Sequence, residues 1–132
     1  MELVGISRLA SIQAGLLPTG QRRLVELART LAGPFDMLLL DEPSSGLNHD
    51  ETGLFGEILL EVVRERGAGI LLVEHDMALV RAVCEEIYVL DFGELIFTGS
   101  AEEMLLSEVV RDAYLGSEAV TSAAPQRGHD DA

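Results

Sequence analysis

Cysteine is nearly absent from the 132 residues: Cys84 stands alone, so no internal disulfide can form. That usage suits a reducing compartment. Cations are scarce too, with nine Lys and Arg against 23 Asp and Glu and a net charge of -14. The balance argues against attraction to anionic lipid and against a nucleic-acid surface, so no nucleic-acid partner is expected. No apolar run approaches membrane-spanning length, and the first residues lack the charged and apolar regions of a signal peptide. There is no internal repeat. Apolar periodicity fades from Ser117, so 117–132 reads as a disordered tail. What remains, 48% hydrophobic and 24% charged, is the composition of a soluble globular protein with a core, one domain or part of one. A cytoplasmic location is expected.

The stretch Leu38-Leu39-Leu40-Asp41-Glu42-Pro43 is the most informative in the chain. A short apolar run bounded by a turn signal reads as a fully buried strand. It ends in two adjacent carboxylates, which a strand would avoid burying. Successive strand residues point to opposite sides, so Asp41 and Glu42 can serve different partners. One could hold a metal ion through water and the other orient an attacking water, the division of labour phosphoryl transfer needs. A strand ending in a solvated acidic turn is the simpler alternative.

Around this stretch the pattern alternates. Met1 to Ala14 reads as a short helix and a loop, and Gly15 to Gly20 as a loop punctuated by Pro18 and Gly20. From Gln21, Leu24, Leu27, Ala28, Leu31 and Ala32 recur at helical spacing until Gly33-Pro34. Arg22 and Arg23 occupy that helix's first turn, where the dipole disfavours cations. They either make an anion-attracting end or pair with surface carboxylates. Asn48 with Glu51 three residues on reads as a capping box, opening a helix with Leu54, Ile58 and Val62 on one line, Phe55, Leu59 and Val63 beside them and Gly67 at its end. Gly69 to Glu74 is a second buried-strand candidate, followed by the polar run Glu74-His75-Asp76 and a helix from about Met77 to Cys84. Ile87–Leu90 and Leu95–Phe97 flank Asp91-Phe92-Gly93-Glu94 as a hairpin, and short helices follow over 101–106 and 108–115.

Strand, helix, strand, helix in this order implies an α/β fold with a mostly parallel sheet, helices on its faces and the hairpin at its C-terminal end. Ligands of such sheets bind outside the carboxyl ends of the strands. Asp41, Glu42 and His75 are therefore expected to face one crevice.

Taken together, these motifs resemble the ATPase subunits of ABC transporters. Leu17-Pro18-Thr19-Gly20-Gln21-Arg22-Arg23 resembles their signature loop, Met37 to Glu42 their Walker B strand with its catalytic glutamate, and Ser45-Gly46-Leu47-Asn48 their D-loop. His75 matches their switch histidine. Four motifs in order, over roughly residues 1 to 115, form a specific signal. Val73-Glu74-His75-Asp76-Met77, Gly46-Leu47-Asn48 and Ala113-Tyr114-Leu115-Gly116 are similar to the ATPases of branched-chain amino acid importers. Lipopolysaccharide-export ATPases share the Tyr-Leu-Gly ending. The resemblance implies ATP and Mg2+ as ligands, with Asp41 holding the metal through water, Glu42 polarising the attacking water and His75 contacting the γ-phosphate. It implies that Leu17, Thr19, Gly20 and Gln21 cap ATP bound by the opposite subunit of a dimer, with Asn48 coupling the two sites. Membrane permease subunits would be further partners, holding the chain on the inner face of the cell membrane.

Two departures qualify the resemblance. Pro18 and Thr19 stand where Leu-Ser-Gly-Gly-Gln has serine and its first glycine; Pro18 offers neither hydroxyl nor backbone N–H. More broadly, no G-x-x-x-x-G-K-[ST] occurs, hence no P-loop and no lysine for the β- and γ-phosphates. The expectation is a partial P-loop NTPase fold lacking the Walker A strand and loop, the C-terminal half of an ABC ATPase domain. Residues 1–34 would be a remnant of the helical subdomain and 35–116 the Walker B and switch-histidine core. A P-loop half from a split gene would then be a partner, and Ile70 to Val73 would carry an unpaired edge. Two functions fit: a transport ATPase subunit, or a non-catalytic module acting through protein contact.

Overall fold

Met37–Asp41 (β1) and Gly69–Val73 (β2) pair in parallel in the computed structural model, which describes residues 4–114. The register runs from Met37 beside Gly69 to Asp41 beside Val73, so the two polar strand ends lie together. Thr19–Leu31 (α1) precedes β1, and His49–Arg66 (α2) and Met77–Val83 (α3) follow the two strands. The helix expected from Gln21 begins two residues earlier, because Thr19 and Gly20 already have helical geometry behind Pro18. The described residues before it form two short 3-10 helices, Ser7–Leu9 in the stretch expected to hold a short helix and Ala14–Leu16 at the start of the expected loop.

One core joins Val4, Ile6, Leu9, Leu17, Leu27 and Leu31 to Leu38 of β1 and to Phe55, Ile58, Leu59 and Val62 of α2. Phe55, Ile58, Leu59 and Val62 form the buried stripe of α2 as expected, whereas Leu54 and Val63, expected on the same lines, are exposed. Asn48 caps α2 as expected: its side chain accepts from the Glu51 N–H, and the Glu51 carboxylate accepts from the Asn48 N–H. Gly67 ends it with φ of 64°, a left-handed cap. Gly56 lets α3 approach α2, since a Cβ there would lie 3.0 Å from Leu79 Cδ1.

Both strands were expected to be buried on two faces, and here the structure differs. Leu38 is 3% exposed and Leu39 69%, while Leu71 and Val73 of β2 are exposed with Leu39. Among the described residues helices cover one face, and Met37, Leu39, Leu71 and Val73 lie exposed on the other as an apolar face. Among the described residues β2 pairs with β1 alone, and β1 with β2 alone, so the unpaired edge expected for β2 is matched by one on β1.

The described chain divides after Cys84 into two units. In the second, Ile87–Asp91 (β3) and Glu94–Gly99 (β4) form the expected hairpin, antiparallel with an irregularity at Val89 and Leu90. Phe92 and Gly93 turn it with φ of 45° and 83°, the mirror-image turn that matches strand twist. Ala101–Leu106 (α4) starts from a Ser100–Glu103 capping box, and residues 108–114 are helical. The expected tail at 117–132, with Leu115 and Gly116, lies outside the described residues. No helix among those described is long and apolar enough to cross a membrane.

Candidate functional site

The end of β1 is shaped by a backbone exception. Glu42 has φ of 44°, a left-handed conformation uncommon for a residue with a Cβ. Its N–H donates to the Val73 carbonyl at 2.8 Å, extending the ladder one residue past the strand, and its carbonyl accepts from the Ser45 N–H at 3.1 Å. The chain turns there. Pro43 and Ser44 go inward while Asp41 and Glu42 stay exposed. At the end of β2, His75 brings Nδ1 to 3.7 Å from Glu42 Oε1, an ion pair when the imidazole is protonated.

Beneath this pair lies a residue the sequence did not single out as functional. The side chain of Glu74 is fully buried. Its Oε1 accepts from the Ser44 N–H at 2.8 Å, and its Oε2 accepts from the N–H groups of His75 at 3.0 Å and Asp76 at 3.3 Å. Burial opposes its charge, but hydrogen bonds from the Ser44 hydroxyl and the three backbone N–H groups outweigh it and hold the carboxyl below its ordinary range. The only signal in the sequence was a carboxylate directly after an apolar run, beside His75.

The residues of the expected signature loop form a second group. Leu17 is buried in the core, Thr19 and Gly20 open α1, and Gln21 is half-buried. Pro18 provides no side-chain cap for that helix. Instead the Glu51 carboxyl presses on Gly20, where a Cβ would lie 2.6 Å from Glu51 Cδ, and sets negative charge near the positive end of the helix. Gly46, with φ of 81°, packs on Thr19: a Cβ there would lie 3.1 Å from Thr19 Cγ2. Asn48 is committed to capping α2. Of the two arginines, Arg23 pairs with Glu26 at 2.9 Å, the surface alternative, and Arg22 makes a long 3.5 Å hydrogen bond to the Thr19 hydroxyl. The turn over 43–48 runs between the two groups.

No protein-family model matches the chain. Over 116 residues, 88% of its length, it is 38% identical to the high-affinity branched-chain amino acid transport ATP-binding protein LivG of Salmonella typhimurium. This chain is a homologue of ABC transporter ATP-binding proteins. The match is to their C-terminal part. The lipopolysaccharide export system ATP-binding protein LptB of Haemophilus influenzae is 34% identical over 118 residues. Among solved structures, an ATP-binding cassette of an ABC transporter in its ADP conformation superposes with a TM-score of 0.78 at 28% identity, covering 87% of this chain. The ABC homologue spans about half the length of the proteins it matches, 46% of LivG and 48% of LptB.

The exposed carboxylates at the strand end are donors of the kind a hard divalent cation such as Mg2+ takes. Mg2+ usually keeps several waters and takes one or two carboxylates plus phosphate oxygens. Asp41, exposed beside Glu42, offers that kind of partial shell. Among the described residues no three His, Cys, Asp or Glu side chains gather into an all-protein cage.

Proposed function

We propose that this ABC homologue supplies the water-orienting half of an ATP site in a transport ATPase. The observation that carries the reading is Glu42, held in a left-handed conformation at the sheet's carboxyl edge with its carboxylate 3.7 Å from His75. Backbone strain of this kind persists where surrounding structure over-determines it, and it concentrates at functional sites. Glu42 accepts a proton from, or orients, the attacking water. His75 donates toward the γ-phosphate from the adjoining strand end. Asp41 would hold Mg2+, and a bound ion there would supply charge neutralisation for the phosphates.

Thr19, Gly20 and Gln21 offer the start of α1 to a nucleotide held by a second subunit, with Leu17 buried in the core as their anchor. The Thr19 hydroxyl, already hydrogen-bonded to Arg22, stands in for the serine that Pro18 replaces. Asn48 and the Gly46 turn tie that loop to the Glu42 turn, a route for coupling two sites. The phosphate cradle is not in this sequence, which has no G-x-x-x-x-G-K-[ST]. Turnover therefore draws on another segment or polypeptide for the backbone nest and lysine. Permease subunits at the inner face of the cell membrane complete the assembly. Branched-chain amino acids or similar solutes are the cargo, a reading supported by the Val73–Met77 wording and the identity with LivG. The alternative, a non-catalytic interaction module, is favoured by the missing cradle and opposed by the Asp41, Glu42 and His75 trio.

Mg2+-dependent ATP turnover, measured after mixing the chain with the N-terminal part of a LivG-type protein, tests the proposal. Turnover that appears only with both pieces and needs Glu42 supports it. Mixing without any gain favours the interaction module.

A further inference from the structure

Three features of the molecule have no part in the proposed chemistry: the open apolar face of β1 and β2, the fully exposed Phe92 at the hairpin tip, and the buried Glu74 carboxylate. Nothing on the first two surfaces says what covers them. The third has four donors aimed at it, and they come from both turns that carry the site.

We propose that Glu74 is a positioning residue: its carboxylate ties the turn after β1 to the turn after β2 and so holds Glu42 against His75. The inference rests on the functional reading of those two residues. Glu74 Oε1 takes the Ser44 N–H from the first turn. Oε2 takes the His75 and Asp76 N–H groups from its own. Ser44 is two residues from Glu42, and His75 is adjacent to Glu74. The last ladder bond, from the Glu42 N–H to the Val73 carbonyl, lies on one side of Glu42 and the Glu74–Ser44 link lies on the other. Glu42 is thus clamped on both sides, which explains how its left-handed backbone persists.

The chemistry selects an ionised glutamate. Every partner of the carboxylate is a donor, and an ionised carboxylate is acceptor-only. Glutamine would turn an NH2 group toward one of those donors. Aspartate is shorter by a methylene and cannot reach both turns from the same backbone position.

NMR of the whole chain tests the proposal without any nucleotide. In Glu74→Gln, amide exchange at Ser44, His75 and Asp76 is expected to rise about tenfold or more while α2 amides change less than about twofold, a local opening rather than global unfolding. Contacts between the His75 ring and the Glu42 side chain should fade together with these amides. Ser44→Ala, which removes the hydroxyl and keeps the N–H, should show the same pattern in weaker form and serves if Glu74→Gln does not fold. If exchange rises equally everywhere in both variants, or the His75–Glu42 contacts survive, Glu74 is only a stabilising buried group and the proposal is overturned. In the mixed turnover assay a positioning role lowers kcat with KM unchanged. If Glu42→Gln leaves turnover intact while the NMR pattern holds, the clamp is real and the functional reading is what fails.

Discussion

Glu42 Oε1 lies 3.7 Å from His75 Nδ1, across the ends of two strands paired in parallel. The register that sets Asp41 beside Val73 delivers both side chains to one edge. Ligand sites in open α/β sheets form at that edge.

By itself the chain should neither bind ATP tightly nor hydrolyse it. Asp41, Glu42 and His75 contribute little of the phosphate cradle, which needs a nest of backbone N–H groups and a lysine. Titration with labelled ATP and Mg2+ checks this. Binding at micromolar concentration would contradict it.

The open face of the two-stranded sheet should make the chain self-associate. Met37, Leu39, Leu71 and Val73 lie exposed there, beside strand edges that carry no Pro or Lys. Leu71→Lys sets a charge on that face and should lower the associated fraction in sedimentation with little change in melting temperature. Leu72→Lys should instead destabilise, because Leu72 alternates onto the helix-covered side with Ile70 of the core. Equal association in Leu71→Lys and parent would count against this account of the sheet.

At the start of α2, Asn48→Ala removes one half of the capping box and should cost about 1 kcal/mol. Gly20→Ala should cost less, since its Cβ meets the far end of the flexible Glu51 side chain, and the displacement of that carboxyl from the box is offset by alanine's better helix propensity. The double variant should cost less than the sum, because both act through Glu51. Thermal melts of the four proteins test this; full additivity would argue that the two contacts are independent.

Acid should act through Glu74. Its folded-state pKa lies below the ordinary 4.5, so its contribution is present above that value and is lost as pH falls through the lower folded value. The parent should therefore lose more melting temperature than Glu74→Gln on going from about pH 6 to about pH 3. Parallel pH profiles would show that Glu74 is not held as described.

Much of this was readable residue by residue. The Asn48–Glu51 capping box, the Gly67 stop and the hairpin at Phe92-Gly93 are local features whose chemistry fixes their geometry. The polar strand ends were readable too, because carboxylates after an apolar run must find solvent or partners. The half-open sheet was not. An unbroken Leu38-Leu39-Leu40 run carries no alternation, so it cannot say that one face lacks a cover. The buried Glu74 was likewise hidden, since its burial is affordable only with Ser44 from the turn after β1. The apolar lines of α2 were readable, Phe55 and Leu59 among them; that Leu54 and Val63 fall outside the buried stripe depended on where the core lies against α2.

The most direct measurement is ATP turnover by Glu42→Gln, assayed with the N-terminal part of a LivG-type protein supplying the phosphate cradle. The amide keeps the side chain's size and loses its basicity. The account predicts turnover reduced about a hundredfold or more with ATP binding spared. Turnover within about threefold of the parent, less than about 1 kcal/mol of barrier, would contradict the role given to Glu42.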